Sequence, residues 1–159
     1  MQANVRWGLV LGASVFVVTL VFALLGWHKT FSMSFAFLAI AIGLNIVAVV
    51  QCLRAYGQNA TWGGQVLNGL VVGAVASVLI FAGSLLVTTV IFPEYFAEMA
   101  EGYRTAYADM GLSEAEVEDL VAATENTSAV RSAFDGVVGT MVTSLLVAAI
   151  GGIWIRKKD

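Results

Sequence analysis

One cysteine, one proline and one histidine occur in 159 residues, and charged side chains make up only 12% of the chain. Cys52 stands alone, so neither an intrachain disulfide nor a cysteine-based metal site can form. With His28 the sole histidine, a His-Glu-x-x-His zinc motif is impossible. No basic stripe is present to neutralise phosphates, which argues against a nucleic-acid partner. The close glycine spacings fall inside apolar runs instead of between a strand and a helix, so they make no phosphate loop. The net charge of −3 carries little meaning, because the acids cluster in one segment.

What the chain does have is apolar length. Hydrophobic residues make up 59% of it and the mean hydropathy is +0.86. Four runs stand out: Trp7 to Trp27, Phe31 to Leu53, Leu67 to Phe92, and Phe134 through Trp154. A bilayer core is about 30 Å thick and takes roughly 20 apolar residues of helix to cross. Each run is long enough. The first lacks a small-residue cleavage pattern and reads as a retained helix, with Trp7 and Trp27 as interfacial anchors. The expected fold class is therefore all-α: a single membrane domain over 1–159, with spans at about 7–27, 31–53, 67–92 and 134–155.

The remaining polar stretch, about 93–131, reads as an acidic helical insertion. Pro93 suits the first turn of a new helix, where its missing N–H costs nothing. Phe96, Met99, Tyr103, Ala106 and Met110 recur at helical spacing and form a candidate contact stripe for headgroups or a partner. Gly111 is a natural stop, and Ser113 with Glu116 makes a capping box that opens a second helix with Val117, Leu120 and Val121 on its apolar side. The expectation is a short helical hairpin between the third and fourth spans. Arg6, Arg54, Arg156, Lys157 and Lys158 share one side; Lys29, Arg104 and Arg131 share the other. That asymmetry places both termini in the cytoplasm and the acidic insertion outside.

Small residues are patterned within the spans. Gly8/Gly12 and Gly69/Gly73 are glycine pairs four apart, and Ala148/Gly152 is a similar pair. Such faces let another helix approach closely. Packing within the chain's own bundle is the preferred reading, with dimerisation or docking on a partner helix as the alternative. The segments Val5 to Ala13 and Val66 to Ala74 share Gly-Leu-Val-x-Gly-Ala, which reads either as a duplicated hairpin or as coincidence in a chain rich in these residues.

The span centres hold no ionisable group, which argues against proton- or ion-coupled transport and against intramembrane proteolysis. Asn45 is the deepest polar side chain and reads as a hydrogen-bonded bridge between helices. Asp135, at the outer end of the fourth span, reads as an interfacial carboxylate paired with Arg131 one turn earlier. His28, Glu94 and Asp135 could meet at the outer interface, but scattered solvated groups are the simpler reading. No catalytic residue, metal site or cofactor is expected.

One further pattern carries a resemblance. Pro93-Glu94-Tyr95-Phe96 closes the third span, and a helix bearing Glu and Tyr follows. Met110-Gly111-Leu112-Ser113-Glu114-Ala115-Glu116-Val117-Glu118 comes next, and a glycine-containing last span ends in Arg156-Lys157-Lys158. This arrangement resembles the bacterial family catalogued as domain of unknown function 4199, over essentially the whole chain. The resemblance implies four spans, an insertion before the last one and a bacterial inner-membrane location. It implies no activity. Thr61-Trp62-Gly63-Gly64 departs from the Phe-containing start expected at that point.

The leading expectation is a non-enzymatic accessory or scaffold protein acting through helix packing and its acidic hairpin. Its partners would be membrane lipids, with a larger membrane complex or a second copy of the chain as protein partners. The first alternative is a small-molecule or lipid-binding protein with a cleft beneath the hairpin. The second is an enzyme at the outer interface, built on Asp135 or His28.

Overall fold

The computed structural model describes residues 1–155; Arg156, Lys157 and Lys158 of the charge argument lie outside the described residues. The described chain is all helical: α1 (Ala3–Leu24), α2 (Phe31–Tyr56), α3 (Trp62–Leu85), α4 (Tyr95–Asp109), α5 (Glu114–Glu125) and α6 (Ala129–Ile155). A π-helical stretch, Leu86–Ile91, prolongs α3, and 3₁₀ turns at Trp27–Lys29 and Gly57–Asn59 join the first three helices. Helices α1, α2, α6 and the continuous rod Trp62–Ile91 are each long and apolar enough to cross a membrane. Their outer faces fit that setting. Val78, Ile150, Leu67 and Phe35 are all more than 60% exposed, an apolar surface that water would not tolerate over this extent.

Helix α3 is the centre of the bundle, with its most extensive contacts to α6 and α1. Glycine is what lets it sit so close to both. A Cβ on Gly8 would lie 2.6 Å from Val75 Cβ and 2.9 Å from the Val72 carbonyl oxygen, and one on Gly12 would lie 2.8 Å from Leu79 Cβ. On the other side, a Cβ on Gly69 would collide with Ala148 Cβ, and one on Gly73 would lie 2.9 Å from Ser144 Cβ. Gly152 faces Gln65 and Trp62 at the same seam. All three small-residue pairs thus meet neighbours within the chain. The two Gly-Leu-Val-x-Gly-Ala stretches face different neighbours, α1 packing on α3 while α3 packs on α6, so they do not occupy equivalent places in a twofold repeat.

The start of α3 lies earlier than hydropathy implies. The polar stretch Trp62-Gly63-Gly64-Gln65 is helical, capped by Thr61, whose Oγ1 accepts from the Gly64 N–H at 3.3 Å. Gln65 is fully buried because its amide Nε2 donates to the Leu53 carbonyl at 3.2 Å and the Gly57 carbonyl at 2.9 Å. Carbonyls left over at the end of α2 find a donor there, so a polar side chain belongs inside. Helix α6 likewise begins at Ala129, ahead of the apolar run that starts at Phe134.

Between the third and fourth long helices, Gly111 turns the chain at φ +78°, and the Ser113/Glu116 capping box opens α5. The Ser113 hydroxyl and N–H hold the Glu116 carboxyl below its ordinary range. Helices α4 and α5 pack through Ala100, Val117 and Val121, while Leu120 is exposed. Arg104 ties the two together, bonding Glu101 at 3.2 Å and Glu118.

Helix α2 is packed unevenly. Its buried residues, Asn45, Ala48, Val49, Cys52 and Leu53, all lie in its second half. Asn45 pins the midpoint, donating to the Thr140 carbonyl at 3.2 Å and to Ser144 Oγ at 2.9 Å. A polar bridge of this kind contributes roughly 0.6 to 2 kcal/mol in a membrane bundle. From Phe31 to Leu44 no residue of α2 is fully buried; its contacts there are partial, Phe37 edge-on against Phe22, and Phe31 and Ser34 against Tyr103.

Candidate functional site

This looser packing leaves a cleft of about 280 Å³ in the half of the bundle nearer α4. Its space equals that of about nine water molecules in the liquid, enough for a short chain of heavy atoms. Asn45 forms its inner end, and Tyr95 of α4 lies at the other. Leu11, Val15 and Phe16 of α1 and Ile80 of α3 supply an apolar wall. Leu38 and Ile42 of α2 line the cleft yet are 55% and 39% exposed, so it is open sideways toward lipid.

The α6 wall is richer in small and polar residues, although Thr19, Ser84 and Thr88 also line the cleft. Ser132, Gly136, Thr140 and Thr143 follow one another at helical spacing on α6, with Asp135 and Gly139 beside them. Among the described residues, the side chains of Ser132, Asp135 and Thr143 make no hydrogen bond or ion pair within the chain, so each is available to an occupant. Neither glycine of this stripe is required by a close helix contact. A Cβ at Gly139 would have no heavy atom within 4 Å, and one at Gly136 would meet only Ile80 Cγ2 at 3.5 Å. Their effect is to keep the cleft open.

Helix α4 closes the outer end through a set of aromatic and charged contacts with the α1–α2 turn. His28 is buried, its ring stacked on Tyr95 with centroids 4.5 Å apart, and its Nε2 donates to Glu98 Oε2 at 3.1 Å. Lys29 Nζ reaches the same carboxylate oxygen at 3.1 Å. Tyr103 is buried edge-on against Phe31 and bonds Ser34 through its hydroxyl. Gly102 sits directly on the Lys29 backbone: a Cβ there would collide with the Lys29 carbonyl oxygen and lie 2.8 Å from its carbon.

The hydrogen bond from Lys29, then that from His28, hold the Glu98 carboxyl below its ordinary value of 4.5. A depressed carboxyl contributes stability that is complete above its unfolded value and lost as pH falls through the folded one. Docking of α4 should therefore persist at neutral pH and weaken progressively below about pH 4.5. Hydrogen exchange of α4 amides at pH 6 and pH 3.5, corrected for intrinsic rates, measures this. Protection should fall at the lower pH in the parent protein, whereas Glu98→Gln should show weaker docking at pH 6 and less change between the two.

Several expected placements look different in the structure. The stripe Phe96, Met99, Tyr103, Met110 is not one free face: Tyr103 is turned inward, Phe96 and Met99 are half-buried, and Met110 is exposed just beyond the helix end. Aromatic residues at helical spacing mark here the face that docks α4 on the α1–α2 turn. Asp135 is not paired with Arg131 among the described residues; it lines the cleft. His28 engages Glu98, one turn beyond Glu94, because that turn of α4 faces the loop. The Ser132–Thr143 stripe and Gly102 escaped sequence reading. Small and hydroxyl residues at helical spacing were the available signal for the stripe, and nothing marked Gly102, since its neighbour is distant in sequence.

A family model described as protein of unknown function (DUF4199) matches residues 6–157. No curated protein and no solved structure matches the chain.

Proposed function

The chain belongs to this family of unknown function, and from that premise we propose that it is a non-enzymatic membrane protein that takes a single-chain amphiphile from one leaflet into the α2–α6 cleft. The observation that carries this reading is the cleft itself, mostly apolar, with hydroxyls from Thr19, Ser84 and Thr88 as well as from α6, and open toward lipid. Sites for small molecules combine those two linings, with few polar groups to orient the ligand. The accessory-subunit reading draws less support, because the glycine faces that would receive a partner helix are filled by the chain's own helices.

Arg6 and Arg54 lie toward the end of the bundle holding the N-terminus, opposite the acidic α4–α5 pair. With the positive-inside tendency, this supports cytoplasmic termini, an inner-membrane setting and a cleft in the outer leaflet.

Gly139→Phe is the direct test, since it places a ring at the cleft where a Cβ meets no neighbour. In native mass spectrometry from nanodiscs, the parent protein should carry one decanol molecule. The plugged variant should need at least tenfold more decanol for the same occupancy while melting at an unchanged temperature. Equal occupancy in the two proteins would overturn the proposal.

A further inference from the structure

Resting on the binding reading above, we infer that the amphiphile carries a cationic, ammonium-type headgroup, held at the outer end of the cleft by Asp135 and the Tyr95 ring. Of the residues lining the cleft, Asp135 is the only charged one. It makes no ion pair or hydrogen bond within the described residues, although Arg131 lies one turn away on the same helix. Asp135 is exposed at the end of the span, where a mobile cation arriving with an apolar tail can reach it and pair with it. Tyr95 adds an aromatic ring at the same end, the surface that attracts ammonium groups. Burial pushes its hydroxyl up to about 12, so the phenol stays neutral. Among the described residues no cationic side chain lines the cleft, so an anionic headgroup would face the Asp135 carboxylate with no compensating charge. The apolar wall of Leu11, Val15 and Ile80 receives the tail.

The test uses the full chain in nanodiscs of an uncharged glycosyl diacylglycerol, whose lipid contributes neither ammonium nor surface charge. Decylamine, decanol, decanoate and lysophosphatidylethanolamine are titrated at pH 7, with bound copies counted by native mass spectrometry. Decylamine should reach half-occupancy at a concentration about fivefold below decanol, with decanoate weakest, a ratio that an exposed ion pair sustains. Asp135→Asn should bring decylamine to the level of decanol, and Asp135→Glu should restore the preference. Lysophosphatidylethanolamine at the decylamine level identifies a zwitterionic lipid as an acceptable source of the ammonium; binding at the decanol level restricts the site to simple amines. Equal binding of decylamine and decanol, or a preference that survives Asp135→Asn, would overturn this inference. If decanol binding is nevertheless lost in Gly139→Phe, the cleft reading stands and only the charge assignment falls. If no probe distinguishes the parent from Gly139→Phe, the cleft reading fails as well.

Discussion

Gly69→Leu is expected to disrupt the bundle itself and to lower its melting temperature by roughly 10 °C. A Cβ at Gly69 would collide with Ala148 Cβ, with the Ser144 carbonyl oxygen only 3.3 Å away. Neither neighbour is the flexible end of a long side chain, so α6 as a whole must move off α3. Overpacking of this kind costs about 3 kcal/mol, and in a chain of this size each kcal/mol shifts the midpoint by roughly 2–4 °C. Gly43→Leu on α2 is the matched control, because a Cβ there has nothing within 4 Å and should leave the melt unchanged. Thermal unfolding in detergent, followed by tryptophan fluorescence, separates the two. A Gly69→Leu protein that melts like its parent, and differs only in dissociating from a second copy, would show that the glycine face serves assembly instead.

The second large effect is local. Gly102→Leu should lift α4 from the α1–α2 turn, because the obstacle is the Lys29 backbone, with its carbonyl carbon at 2.8 Å and its Cα at 3.0 Å. Backbone cannot swing aside as a side chain can. The Tyr95–His28 stack, the Glu98 contacts and the Ser34–Tyr103 bond would be lost together, since all depend on the same approach. Exchange of α4 amides should accelerate roughly a hundredfold, equivalent to about 2.8 kcal/mol of lost docking. The amides of α1, α3 and α6 should keep their protection, because those helices pack on one another without α4. Unchanged protection of α4 would mean that the helix docks by contacts other than these.

Much of the architecture was legible from the chain alone. Apolar length marks a span whatever its neighbours do, so all four long helices could be placed. The Ser113/Glu116 box and Gly111 are local devices, set by residues a few positions apart. The small-residue pairs were legible too, although which helix each pair would meet was not. Gln65 and the early start of α3 escaped because their reason lies in carbonyls at the end of α2, remote in hydropathy terms. Tyr103 was misread because an aromatic stripe looks the same whether it meets lipid, a partner or the chain's own turn. A cleft beneath the insertion was legible only as an alternative, and its lining was not. It lies beside the half of α2 that packs only in part, and partial packing leaves no pattern in α2; the small and hydroxyl stripe of α6 recorded it.

Photoaffinity labelling tests the central claim most directly. A decanol analogue with a diazirine at its tail, activated in nanodiscs, labels whatever lies beside the bound chain. The account predicts adducts concentrated on buried cleft residues such as Leu11, Val15 and Ile80, competed by excess decanol and absent from Gly139→Phe. Adducts spread evenly over lipid-facing residues such as Val78, Leu146 and Ile150, alike in both proteins, would contradict it.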